Sequence, residues 1–367
     1  MKIAIDISSV VYGTGVSVYA KELIKALVNL KTKNEFLLFA GTLRQRRWYQ
    51  NWFEEMNLPD NFELKVIPLS PRLQLTLWND VKLTKLEWFI GKFDVYHSLD
   101  WSLAPTDKPT VVTVHDLFFI KEKEIQQHPY QKSLEARLIN AKEKDCPVIA
   151  VSNTTKDDLG GICDYDKSLV QVIYEASPHN WKKIDDKDNM TTTRNKWQIP
   201  IDYILAVGTR EPRKNLARLI ESYDKLDCKI SLVIVGKSGW GEKVNANEKI
   251  ILTGYISDED LMTLWSGAKG FVYPSLYEGF GLPILQSFIS EVPVLTSNNS
   301  SMKEIASDAA ILVDPSSIDS IKDGLEELIN LSKEKRERLV AAGLARAKKF
   351  SWEDTANKTM KIYEQIA

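Results

Sequence analysis

Short apolar runs alternate with longer amphipathic stretches along the chain, the pattern of parallel β-strands crossed over by helices. In the first half the apolar runs lie near Lys2 to Ile7, Glu35 to Ala40, Glu63 to Ile67, Val95 to His97, Thr110 to Val114, Val148 to Val151 and Val170 to Ile173. A polar stretch, Asp185 to Lys196, then reads as a tether or a short solvated helix between domains. The series restarts near Tyr203 to Val207, Ser231 to Val235, Ile250 to Leu252, Phe271 to Tyr273, Val292 to Leu295 and Ala310 to Val313. The expected architecture is α/β, two doubly wound Rossmann-like domains facing each other over residues 1–180 and 199–350, joined by a linker at 181–198. Trp352 to Ile366 has helical periodicity.

Composition narrows the class. The chain has 367 residues, 44% hydrophobic and 27% charged, which excludes disorder and fibres. A net charge of −2 supplies no global field for nucleic acid, so no nucleic-acid partner is expected and any basic site must be local. Cys146, Cys163 and Cys228 are odd in number and far apart, which fits neither a disulfide framework nor a zinc site and points to a reducing compartment. The first residues read as a core strand, and no apolar run approaches the length of a membrane span, so a cytoplasmic enzyme is expected.

Chemistry concentrates at four strand ends. Phe271 to Leu276 reads as a buried strand and Pro283, Ile284, Leu285 and Phe288 as a helix with proline in its first turn. Glu278 therefore sits at a strand's carboxyl end, where ligands bind in open α/β sheets. Gly279 and Gly281 leave room for a ligand to touch the backbone; Glu278 could accept hydrogen bonds from two sugar hydroxyls, and Gln286 could reach others. The plainer reading makes the glycines a turn and Glu278 a partner of the helix dipole. After Gly208 come Thr209, Arg210, Glu211, Pro212, Arg213, Lys214 and Asn215, three cations at a strand end that would suit a departing diphosphate, or else a solvated basic turn. Tyr12-Gly13-Thr14-Gly15 follows the first strand, but Val18 stands where the dinucleotide fingerprint needs a third glycine, so NAD binding is disfavoured. Of His97, His115, His128 and His179, only His97 and His115 fall at expected strand ends.

These segments resemble those of retaining GT-B glycosyltransferases of family 4. The Glu278 region is similar to the family's Glu-x7-Glu stretch, with Gln286 replacing the second Glu. Gly208 to Asn215 resembles the family's Glu-Pro-Arg-Lys-Asn segment, and Thr110 to Leu117 its Val-His-Asp strand. Val235 to Trp240, Thr253 to Asp258 and Ala309 to Pro315 extend the resemblance over nearly the whole chain. It implies a GT-B fold with a central cleft and a terminal helix, 351–367, that crosses back to the first domain. It also implies a nucleotide-sugar donor site built from Gly15, Thr209, Arg210, Arg213, Lys214, Tyr255, Ile256, Glu278, Gly279, Phe280, Gly281, Leu282 and Gln286. Lys214, with Arg210 or Arg213, would contact the diphosphate, Gly15 would approach a phosphate, the Gly254 to Ser257 turn would flank the base, and Gln286 would bind the ribose. His115 would face the transferred sugar opposite Glu278, and His97 would rank behind it on the acceptor side.

No cofactor and no catalytic metal are expected. Asp258-Glu259-Asp260 imitates a metal-binding Asp-x-Asp, but Ser257-x-x-Asp260 is better read as a capping box before a helix reaching Trp265. The resemblance points to a retaining transfer of a hexose, mannose favoured, to a saccharide or lipid-linked glycan acceptor. Arg44, Arg46, Arg47, Trp48, Tyr49, Trp52 and Phe53 within Thr42 to Asn57, and Leu73 to Phe89 with Trp78, Lys82, Lys85 and Trp88, would suit a carbohydrate platform or peripheral contact with the inner face of a membrane, or pack as ordinary amphipathic helices. Two rivals share the resemblance: a non-catalytic sugar-nucleotide-binding partner subunit, and a nucleotide-sugar epimerase of the same fold.

Overall fold

Each of the thirteen apolar runs forms a strand, and every pairing is parallel. The computed structural model of the chain describes residues 1–121, 131–237, 239 and 247–367. Seven strands form the first sheet: β1 (Lys2–Asp6), β2 (Glu35–Gly41), β3 (Phe62–Ile67), β4 (Val95–Ser98), β5 (Thr110–Val114), β6 (Val148–Ala150) and β7 (Val170–Val172), in the order β3-β2-β1-β4-β5-β6-β7. Six form the second: β8 (Tyr203–Val207), β9 (Ser231–Val235), β10 (Ile250–Gly254), β11 (Gly270–Tyr273), β12 (Val294–Ser297) and β13 (Ile311–Val313), in the order β10-β9-β8-β11-β12-β13. Helices cover both faces of such sheets, which is why β5, Thr-Val-Val-Thr-Val, does not alternate between polar and apolar and is buried at all five positions. Strand order reverses between β1 and β4 in one sheet and between β8 and β11 in the other; these are the places where a ligand crevice opens at the strands' carboxyl ends.

Prolines account for two shifted strands. β11 stops at Tyr273, the end read from the series of apolar runs and short of the longer reading to Leu276, because Pro274 has no N–H to continue the ladder. β12 starts at Val294, two residues later than expected, just after Pro293. The helix Trp352–Ile366 occupies the stretch with helical periodicity, and the helices Gly15–Asn29 and Leu216–Asp224 follow the loops after β1 and β8.

The chain divides into two units, Met1–Glu175 with Ser351–Ala367, and Ala176–Phe350. Residues 181–198, expected as a linker, lie inside the second unit. Trp181 donates from Nε1 to the Gln286 carbonyl (2.9 Å) and to Ser290 Oγ (3.1 Å). Asp186 caps a helix, Lys187–Lys196, which packs on the helix Asp258–Ser266. Lys196 Nζ and Trp197 Nε1 both donate to Asp260 Oδ2, at 2.6 and 2.9 Å.

The last helix belongs to the first unit. Ser351 caps it by accepting from the Asp354 N–H (3.1 Å), and Trp352, Ala356, Met360 and Tyr363 make a buried stripe at helical spacing. That stripe packs on the helix Gly15–Asn29 and on β5, with Trp352 edge-on to Tyr19. Thr355 Oγ1 donates to the Tyr174 carbonyl (2.7 Å), and the Tyr363 hydroxyl lies 2.5 Å from His97 Nδ1.

His97, the second-ranked candidate for the acceptor side, is instead fully buried, with Nε2 2.7 Å from Thr113 Oγ1. Burial, with the charges of Arg137 and His115, lowers its pKa to about 3, so it folds neutral. The unfolded chain takes up this proton first as the pH drops below about 6.5, and the associated stability declines through the window from about 6.5 to 3. Urea unfolding is expected to show wild type losing about 2 kcal/mol more than His97→Gln between pH 7 and pH 5; equal losses would contradict a buried neutral imidazole.

Among the described residues, no helix is long and apolar enough to cross a membrane.

Candidate active site

The carboxyl ends of β8 and β11 hold the densest polar cluster of the second unit. After β8 the chain turns through Gly208, whose φ of 150° brings its carbonyl against Gly236; a Cβ at Gly236 would lie 2.0 Å from that oxygen. A short turn, Pro212–Lys214, leads to Asn215 at φ 59°. Asn215 does not cap the following helix with its side chain. Its amide donates to the Pro274 (3.0 Å) and Pro315 (2.7 Å) carbonyls, which fastens the loop to the ends of β11 and β13.

That fastening, and the Leu276 N–H donating to the Arg213 carbonyl (2.8 Å), bring Arg213 and Lys214 onto Glu278. Lys214 Nζ donates to Glu278 Oε1 (2.7 Å) and to the Tyr273 hydroxyl (2.7 Å), and stands 4.8 Å above the Tyr273 ring centroid. Arg213 donates from Nε to Glu211 Oε2 (3.0 Å) and from Nη1 to Glu278 Oε2. Glu278 is 6% exposed, its N–H donates to Ser300 Oγ (3.2 Å), and Ser301 Oγ donates to its carbonyl (2.8 Å). Burial alone would raise the Glu278 carboxyl; the charges of Arg213 and Lys214 overcome it and hold the group down at about 2. Burial and the Arg213 charge lower the Lys214 ammonium, against the pull of Glu278.

Of the two arginines considered for the second cation, Arg213 is the one on Glu278. Arg210 is half-buried beside Thr209, and its N–H donates to the Lys237 carbonyl (3.2 Å). Gly281 begins the helix Leu282–Ile289 in the left-handed region, at φ 102°. Gly279 and Phe280 are buried in the turn before it, with the Phe280 ring edge-on to Phe350, while Leu282 and Gln286 are half-buried. At the end of β10, Tyr255 is 67% exposed with Lys237 Nζ 5.1 Å from its ring centroid, and Ile256 is buried. Ser238 and Trp240 of the Val235 to Trp240 segment lie outside the described residues, as does His128. Tyr273 was not foreseen as a site residue; the available signal was its place as the last residue of the strand leading to Glu278.

Gly15 and His115 belong to the first unit. Gly15 is exposed at the start of its helix, after the Thr14 cap. His115 follows β5 with both ring nitrogens engaged, Nε2 3.0 Å from the Leu99 carbonyl and Nδ1 3.3 Å from Glu175 Oε1. Burial lowers its pKa, but the Glu175 hydrogen bond and charge, with Asp100 and the Leu99 carbonyl, overcome that and raise it. Among the described residues, no three His, Cys, Asp or Glu side chains converge as metal ligands. Asp260 caps as expected on one side only, its N–H donating to Ser257 Oγ (3.2 Å), while its carboxylate takes Lys196 and Trp197.

Two family models match in tandem: Glycosyltransferase Family 4 over residues 13–176 and Glycosyl transferases group 1 over residues 190–346. The chain belongs to glycosyltransferase family 4. The O-antigen chain mannosyltransferase B of Escherichia coli is 27% identical to this family 4 glycosyltransferase over 96% of each chain. Its two Rossmann-like sheets match GT-B structures. Sucrose-phosphate synthase from Thermosynechococcus elongatus superposes with a TM-score of 0.75 at 17% identity, covering 100% of this chain and 98% of that one. Anabaena HepE, solved with UDP and glucose, superposes with a TM-score of 0.73 at 15% identity, covering 100% of both. At these identities the structural likeness speaks for the fold of the glycosyltransferase alone.

Proposed function

We propose that this glycosyltransferase moves a hexose, mannose in the first instance, from a nucleoside diphosphate to a saccharide or lipid-linked glycan acceptor, with retention at the anomeric carbon and without a metal ion. The observation that carries the reading is the junction of Arg213, Lys214 and Glu278 at the β8/β11 switch point. In the reaction the bond from the anomeric carbon to the diphosphate oxygen breaks, its electron pair stays with the diphosphate, and an acceptor hydroxyl oxygen replaces it, its proton passing to the departing diphosphate. Cations fixed beside that oxygen before the reaction lower the barrier without reorganising. Lys214 and Arg213 now neutralise Glu278. The donor's diphosphate takes over these N–H donors, which leaves the carboxylate to accept from the sugar's hydroxyls. Glu278 then holds the sugar, while Gln286 binds the ribose and Tyr255 and Ile256 flank the base. Mannose is favoured because the relative aligned over nearly its whole length is a mannosyltransferase. Retention rests on the family resemblance, and the site of action is the cytoplasmic face of the membrane, where a lipid-linked acceptor would be met.

The test is thermal unfolding against GDP, UDP, ADP and TDP sugars in the presence of EDTA. One donor at 100 times its Kd is expected to stabilise the protein by about 2.7 kcal/mol. Gln286→Ala is expected to weaken that donor by roughly 3- to 10-fold, the loss of one neutral hydrogen bond. No shift with any sugar nucleotide overturns the reading. Binding without transfer to any acceptor identifies a partner subunit instead, and a changed sugar without acceptor identifies an epimerase.

A further inference from the structure

Each of the two cations on Glu278 has a second partner of its own. Arg213 also holds Glu211, and Lys214 also holds Tyr273, its Nζ donating to the phenolic oxygen at 2.7 Å. Lys214 is confined along its whole length. Its stem runs against Gly208, where an added Cβ would stand 3.2 Å from Cε and 3.4 Å from Cδ, and its ammonium lies 4.8 Å from the Tyr273 ring centroid. Tyr273 is 3% exposed at the last position of β11; its ring stacks on Phe271 at 5.7 Å, and its carbonyl accepts from Thr296 Oγ1 of β12 (2.9 Å). The phenol is thus a fixed point of the sheet, whereas the lysine head rides on a flexible four-carbon stem. Burial, and then the charge of Glu278, push the Tyr273 phenol well above its ordinary value against the charge of Arg213, so the group is a neutral hydroxyl. A neutral oxygen holds the ammonium without cancelling its charge, which Glu278 cannot do.

We infer that Tyr273 is a positioning residue for the transfer: its hydroxyl and ring keep the Lys214 ammonium in place while Glu278 gives it up to the donor's diphosphate. The role rests on the glycosyltransferase reading and adds to it the group that holds the cation still. An ammonium has three N–H donors. Glu278 and Tyr273 take two of them, and the third has no acceptor among the described residues. A diphosphate oxygen can therefore take the third N–H first and displace Glu278 afterwards, with the Tyr273 bond kept throughout. Without the hydroxyl, the flexible stem still lets the ammonium meet a bound diphosphate, so binding changes little. The cost falls at bond breaking, when charge grows on the diphosphate and only a cation already in place lowers the barrier without reorganising.

The experiment compares wild type with Tyr273→Phe, which keeps the ring and its packing on Phe271 and removes only the acceptor oxygen. In a 15N–1H spectrum of the lysine ammonium groups of the full chain, the Lys214 signal is assigned by its loss in Lys214→Ala. It is expected to be protected from exchange in wild type and to shift or broaden away in Tyr273→Phe. Turnover is followed as release of the nucleoside diphosphate from GDP-mannose, UDP-glucose, ADP-glucose and TDP-glucose, with methyl α-D-mannoside or water as acceptor. On the donor that raises the Tm, kcat is expected to fall about 10- to 100-fold in the variant, the cost of one hydrogen bond to a charged group. The donor KM should stay within about threefold of wild type, because the interaction lost counts chiefly in the transition state. A side chain that only packs would lower the Tm and leave kcat unchanged. An unmoved Lys214 signal, or a kcat equal to that of wild type, overturns the role. If the signal moves in Tyr273→Phe but wild type neither binds nor cleaves any of the four donors, the contact is real, the donor reading fails, and the role in transfer fails with it.

Discussion

Lys214→Ala is expected to lower kcat by about 10²–10³-fold, the usual cost of removing one fixed donor from developing charge, while the protein stays folded. The reason lies in how the cluster is shared. Glu278 retains Arg213 when Lys214 is lost, so its charge is not stranded. Glu278→Ala removes the carboxylate that, among the described residues, is ion-paired to both cations, and leaves Lys214 with Arg213, which keeps Glu211, in a largely buried site. Stranding a buried charge of this kind costs about 3–5 kcal/mol, so this variant should lose stability as well as activity. Removing Lys214 in addition should restore part of the stability and none of the activity. Urea unfolding of the three variants beside their turnover separates the two effects. If Glu278→Ala and Lys214→Ala prove equally stable, the ion pairs do not hold the site in the way the geometry indicates. Acid should act on the same pairs: the Glu278 carboxyl is held at about 2 in the folded protein, so its contribution is complete above the ordinary carboxylate range and is lost as the pH falls toward 2.

Ending the chain at Phe350 is expected to unfold the first unit and spare the second. The deleted helix supplies Trp352, Ala356, Met360, Ile362 and Tyr363 to the first unit's core, and its Tyr363 hydroxyl is the partner of His97 Nδ1. Each large side chain is worth about 1.5–3 kcal/mol when fully buried, and together they approach the 5–15 kcal/mol by which a typical domain is stable. Limited proteolysis should therefore degrade residues 1–175 and leave a resistant fragment from residues 176–350. A truncated protein melting as a single transition at the full-length temperature would show that the helix is dispensable.

Much of this was legible in the residues because it depends on local rules. Alternating apolar runs marked all thirteen strands, and the buried stripe of Trp352 to Tyr363 follows the helical period. Glu278 and Lys214 could be placed at strand ends from the turn residues around them. What depends on long-range packing could not be read. Arg210 and Arg213 are equivalent as letters, and only the folding of the loop against Pro274 and Pro315 puts Arg213 on Glu278. His97 and His115 both fall at expected strand ends; one is enclosed by the last helix, whose Tyr363 is 266 residues away, and the other meets the loop after β4 and Glu175. The polar stretch before Trp197 resembled a tether because its anchors, Lys196 and Trp197 on Asp260, come at its very end.

The division of the chain also sets an order of events during translation. A ribosome releases the chain from its amino end at about 5–20 residues per second. The second unit is contiguous, so it can close its core once residue 350 has left the exit tunnel. The first unit, although synthesised first, lacks its last helix until residues 351–367 emerge. Until then the apolar faces of β5 and of the helix Gly15–Asn29 have no cover. The half made earliest is thus completed last, and it is the half that a chaperone or a protease would meet on the nascent chain.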